Sequence, residues 1–274
     1  MIIDWTLRFR AGLAAGAGAL STLLVGYVSL GPARKMDAFS LLFGQPEPAW
    51  WILAAVAIVL AGGVGGLLIR AHPGFGALLG MGGAMLGLSL QSGRPIGLFF
   101  DHAAGDVMAR LTGETLLLGA FVGLVHHVVW LIGRKGLGEK HEQAPKDKLQ
   151  DVLIFCAILT LAGLVVLKLV QITNERGQVI FAAAAAFYLG VLLAHQLVQI
   201  NSFWPVWVVP VVLAAAGYLV SGNTVSPGAV RVDGVLFARG LPIDYLGPAL
   251  LGGLAGLITS RRWQAERTHT VNAS

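Results

Sequence analysis

His126, His127 and His195 are the side chains whose type and placement best suit chemistry. The first two are adjacent near the end of the fourth long apolar segment, and the third lies near the end of the sixth. If those segments cross a bilayer, all three histidines sit at similar depth on one side. Facing imidazoles at that depth are suited to ligating a haem iron or another metal, or to binding a quinone. The plainer expectation is an interfacial histidine bonded to a headgroup or a neighbouring carbonyl. Gln196, Gln199, Asn201 and Ser202 follow His195, then Trp204 and Trp207. A helix continued through this stretch places His195 and Gln199 on one face. The stretch reads as an interfacial turn with an aromatic belt, or as the mouth of a polar pathway.

Two polar segments, Gln91 to Gly113 and Ser221 to Ile243, each hold an Asp shortly before an Arg. The pairs are Asp106 with Arg110 and Asp233 with Arg239, and they are candidate docking residues for a protein partner. Glu114 and Asp244 stand next, at the expected starts of the fourth and eighth apolar segments. There an acid meets the positive end of a helix dipole, and Thr112 is placed to cap.

What must position these residues is a set of apolar helices. The chain has 274 residues, 56% hydrophobic and 12% charged, too few charges to coat a water-exposed globule. Its mean hydropathy of +0.75 agrees. The apolar runs are continuous rather than alternating, which excludes a β-barrel and predicts spanning helices. The spans are expected at Ala11–Leu30, Ala49–Ile69, Phe75–Leu90, Thr115–Ile132, Val152–Val170, Gln178–Val198, Phe203–Val220 and Asp244–Ser260. The third is the shortest and reads as a tilted span or a re-entrant segment. The fold class is thus an all-α polytopic bundle of about eight spans. Residues 1–10 suit a signal n-region poorly, so the first span is read as retained, with Trp5 and Arg8 at the interface.

Charge gives an orientation. Eleven Lys and Arg fall on the side of the N-terminus and eight on the other, with the densest clusters in Gly133 to Asp151 and after Ser260. That predicts cytoplasmic termini in a cell (inner) membrane. The net charge of +5 is explained by this placement, and nucleic acid is not expected as a partner. Cys156 is the only cysteine, so no internal disulfide and no cysteine metal framework can form.

The mixed-charge linker 133–151 divides a first half, 1–132, from a second, 152–260, with a basic polar tail at 261–274. An offset of 129 residues superimposes the last three spans of the halves without a gap, pairing Ser92-Gly93 with Ser221-Gly222 and Ala109-Arg110 with Ala238-Arg239. This predicts a 4+4 parallel repeat about an axis along the membrane normal. Gly76, Gly80, Gly83 and Gly87 share one face of the third span, and GxxxG spacing recurs at Gly12/Gly16, Gly62/Gly66, Gly119/Gly123 and Gly252/Gly256. Such faces let helices approach closely.

No Asp, Glu, Arg or Lys is expected in the middle of a span, and Lys168 can snorkel from a helix end. No Walker, HExxH or Gly-x-Ser-x-Gly motif is present. The reading is an integral membrane protein, a non-catalytic subunit or scaffold whose partners are the bilayer and neighbouring membrane proteins or copies of itself. The alternatives are a small-solute or lipid transporter or channel with a pathway between the halves, and a haem- or quinone-binding redox subunit. The identity of any cofactor is left open.

Overall fold

A computed structural model describes residues 5–30, 48–91, 103–136, 147–173, 175–222 and 236–272. These form eight α-helices: α1 (Trp5–Leu30), α2 (Pro48–Leu68), α3 (Pro73–Gln91), α4 (Ala104–Gly136), α5 (Leu149–Val170), α6 (Arg176–Leu197), α7 (Trp204–Gly222) and α8 (Pro242–Asn272). A 3-10 turn, Leu236–Arg239, precedes α8. Six helices are long and apolar enough to cross a membrane, while α1 and α2 contain the shorter apolar stretches Phe9–Leu24 and Ile52–Leu68. The protein is an integral membrane helical bundle. The side chains of Trp5 and Arg8 lie outside the described set.

α3, the span that looked weakest, is a continuous helix at the centre of the bundle. Nearly all of it is buried, from Pro73 to Ser89. It needs no long apolar surface because protein, not lipid, surrounds it. Its glycines make this possible. A Cβ on Gly76 or Gly80 would overlap the carbonyl of Gly65 or Ala61 on α2, and one on Gly83 or Gly87 would overlap that of Ala15 or Ala19 on α1. One small face thus serves two neighbours, α2 along one half of its length and α1 along the other. Thr22 on α1 adds a hydrogen bond to the carbonyl of Ala84, at 2.9 Å. α8 approaches α6 similarly, with Gly252 against Ala184 and Gly256 against Tyr188. Gly12 and Gly16 are different: nothing lies within 4 Å of a Cβ built on either.

The helices from the two sides of residues 133–151 meet where α3 packs on α8 and α4 packs on α7. α1 and α2 lie against α3, whereas α6 lies against α8. Three helices run well past the expected spans, and the first of them, α1, begins at Trp5 rather than Ala11. α4 begins at Ala104, not Thr115, and α8 runs on to Asn272. In its extension Arg262 pairs with Glu266 one turn later, at 2.5 Å.

Candidate functional site

The early start of α4 changes the setting of several residues. Asp106 and Arg110 belong to a helix, not a loop. They are exposed one turn apart, while Val107, Met108 and Leu111 bury the opposite face. Glu114 is therefore not a first-turn acid. It lies about a third of the way along the span Gly105–Gly133 and is buried. Thr112 does not cap α4 either, since its hydroxyl donates to the carbonyl of Met108 at 2.8 Å. A helix boundary at Thr115 puts this acid outside the expected span, whereas α4 carries it inside a helix, just ahead of the apolar run from Thr115 to Ile132.

Asp244 does what a first-turn acid should. Its Oδ2 accepts the Leu241 N–H at 2.8 Å, the reach-back half of a capping box. Its Oδ1 accepts the Ser89 hydroxyl of α3 at 2.5 Å. Burial in the bundle removes water as a competitor, so these bonds take over much of what hydration does for an exposed carboxyl group.

More polar groups gather at this Asp244 end. Gln171, just past α5, donates to the Tyr245 hydroxyl at 2.8 Å and to the carbonyl of Leu236 at 3.1 Å. Tyr245 donates to the same carbonyl, and Tyr218 of α7 donates to that of Gly240 at 2.7 Å. Arg239 turns inward and donates from a guanidinium nitrogen to the carbonyl of Gln171. The rings of Tyr218, Phe237 and Tyr245 pack together, with centroids 5.2–6.3 Å apart. Both Glu114 and Asp244 lie within electrostatic range of the Tyr218 phenol. Asp233 falls outside the described residues.

The histidines are at the opposite end and have separate settings. His126 is half-buried, its Nε2 2.8 Å from where a Cβ on Gly74 would stand. His127 is exposed and stacks on Trp130 at 5.8 Å. His195 is buried in the last turn of α6, which ends at Leu197, so Gln199 does not share a helix face with it. Its Nε2 is 3.2 Å from the carbonyl of Ile200 and its Nδ1 is 2.9 Å from the Ser260 hydroxyl of α8. A carbonyl can only accept, so Nε2 carries the proton and Nδ1 accepts from Ser260. Gln196 donates to the same hydroxyl at 2.7 Å. Both ring nitrogens are engaged. Among the described residues no group of three His, Cys, Asp or Glu could hold a metal ion.

Beside His195, Arg261 donates to the Asn201 carbonyl at 3.2 Å and lies over the Phe203 ring at 4.9 Å. The Asp147 carboxylate receives four bonds from the same turn: the backbone N–H of Asn201 and Ser202, each at 2.8 Å, the Asn201 amide at 3.3 Å and the Ser202 hydroxyl at 2.5 Å. Partial burial pushes this carboxyl upward, but the bonds from Ser202 and Asn201 outweigh it and hold the group below the usual carboxylate range. The mixed-charge linker thus ends in a clamp on the α6–α7 turn.

Where α3, α4, α7 and α8 meet, a void of about 10 Å³ lies among Met85, Gly119, Trp207, Pro210 and Leu246. That is room for about one water molecule. No protein-family model, curated protein or solved structure matches the chain.

Proposed function

We propose that the chain is a non-catalytic integral subunit or scaffold of a larger membrane assembly. The burial of the central helix supports this reading. α3 is wrapped by helices of its own chain, and among the described residues the space by Met85, Gly119 and Trp207 has room for about one water molecule. The polar contacts tie parts of the chain together: Ser89 of α3 to Asp244 of α8, His195 of α6 to Ser260 of α8, and Asp147 of the linker to the α6–α7 turn. Broad apolar flanks, such as Leu117, Leu124 and Ile132 on α4, face outward and are available to lipid or a neighbouring protein. Asp106 and Arg110 are the exposed polar part of the docking surface in this reading. Mild-detergent purification with identification of what co-purifies tests it. A neighbour in fixed ratio is the expected result.

The duplication belongs to the same reading. Under the 129-residue offset α3 corresponds to α7 and α4 to α8, so the α3–α8 and α4–α7 contacts exchange as a two-fold axis along the membrane normal requires. The placement of α2 on α3 and of α6 on α8 departs from that symmetry. Cytoplasmic termini follow from the charge bias.

A second reading, a small-solute transporter, is favoured by one observation: Glu114 and Asp244 are buried acids within the spans. Buried acids in membrane helices often mark ion or proton paths. Flux into liposomes that is lost in Glu114→Gln and Asp244→Asn would select this reading over the first. The redox reading is weakest at His195, whose two ring nitrogens are both engaged.

A further inference from the structure

A groove of about 470 Å³ lies between α2, the start of α3 and the last turns of α4, at the end of the bundle opposite Asp244. Its walls are Gly63, Gly66, Leu67, Pro73, Val129 and Ile132, and Arg70 stands at its rim. The volume falls within the range of about 300–1,000 Å³ found for small-ligand pockets. Gly63 to Arg70 is seven residues of chain, so the apolar part reaches about 10 Å inward from the cation. Arg70 is exposed in the tight turn that joins α2 to α3, where His72 N–H closes on the Ile69 carbonyl at 2.9 Å. Trp130 and His127, exposed and stacked, mark the same end of α4 as interfacial.

We propose that this groove binds an anionic phospholipid, with an acyl chain lying along Gly63, Leu67 and Ile132 and the headgroup phosphate on Arg70. The shape accepts a flexible chain and the rim supplies a charge opposite to the phosphate. A basic pocket between membrane helices at the interface is the recognised chemistry for an acidic headgroup. A neighbouring protein helix would leave the cation needing an acid at the same level, whereas an anionic lipid brings its charge at the depth where Arg70 stands.

The test is native mass spectrometry of the delipidated full chain titrated with phosphatidylglycerol and phosphatidylcholine of identical acyl chains. The wild type should prefer phosphatidylglycerol by about fivefold, the worth of one basic side chain near an anionic lipid. Arg70→Gln should bring the preference to unity while retaining the chain-dependent binding. Gly63→Leu should lower binding of both lipids, because a Cβ there meets nothing within 4 Å and the larger side chain fills the groove without displacing the fold. Unchanged thermal midpoints for the two variants confirm that folding is not what changed. Equal binding of the two lipids by the wild type, or a preference unmoved in Arg70→Gln, overturns the proposal. So does lipid binding unchanged in Gly63→Leu, binding of glycerol phosphate as strong as that of the whole lipid, or a dimer that takes up no lipid and dissociates in Gly63→Leu.

Discussion

The Ser89 hydroxyl of α3 and the Asp244 carboxylate of α8 meet at 2.5 Å, joining the most buried helix of the bundle to the one it packs on across the mid-chain linker. The same carboxylate holds the first turn of α8 through the Leu241 N–H. One acid therefore fixes a helix start and a helix–helix contact together.

Removing that acid should be costly. Asp244→Ala leaves two donors unsatisfied in a buried place, and each such loss costs about 1–3 kcal/mol. Asp244→Asn keeps an acceptor and should recover part of the loss. Thermal unfolding in detergent, followed by circular dichroism, orders the three proteins: wild type, then Asn, then Ala. Equal midpoints for Ala and wild type would show that the pair contributes nothing.

The glycines separate into two classes. Gly80→Ala drives a methyl into the Ala61 carbonyl and should destabilise strongly or force α2 away from α3. Gly12→Ala meets open space, and replacing glycine inside a helix should stabilise by about 0.5–1 kcal/mol. Opposite shifts in thermal midpoint are expected, and equal shifts would contradict the packing described.

His195 acts as a fastener between α6 and α8. His195→Ala should lower stability by about 1 kcal/mol or more, since it removes the acceptor of the Ser260 hydroxyl and one of the two donors to the Ile200 carbonyl. Protein produced with haem in excess should show no Soret band attributable to this residue. A Soret band that disappears in His195→Ala would reverse the assignment.

Much of this was legible in the sequence and some was not. Eight apolar runs predict eight helices because a bilayer permits little else. The start of α4 was missed because Asp106, Arg110 and Glu114 interrupt hydropathy. Yet Val107, Met108 and Leu111 recur with helical spacing and are buried. That periodicity was the available signal, and it would have moved Glu114 into the span. Ser89, Gln171, Tyr218 and Ser260 were not singled out, because a lone polar residue near a span end acquires meaning only from its partner. The GxxxG pairs show the same limit. Gly252/Gly256 contacts backbone and Gly12/Gly16 contacts nothing, although the spacing is identical.

Asp147 gives the pH prediction. Its folded-state carboxyl is held below the usual range, so it contributes stability above the unfolded-state pKa and loses it as pH falls through the folded value. The clamp on Asn201 and Ser202 should therefore persist from neutral pH down through the ordinary carboxylate range and fail only below it. The difference in thermal midpoint between wild type and Asp147→Asn should be constant from pH 7 to mild acid and shrink below that. A difference that vanishes already near neutral pH would contradict the clamp.

The most direct measurement of the central claim is the mass and composition of the particle extracted from its native membrane in mild detergent. The account predicts a particle well above the 28.7 kDa of one chain plus its bound lipid, containing a second membrane polypeptide in fixed ratio. Charge reversal at Asp106 and Arg110 should weaken that association. A single copy running alone, with no co-purifying polypeptide, would contradict it.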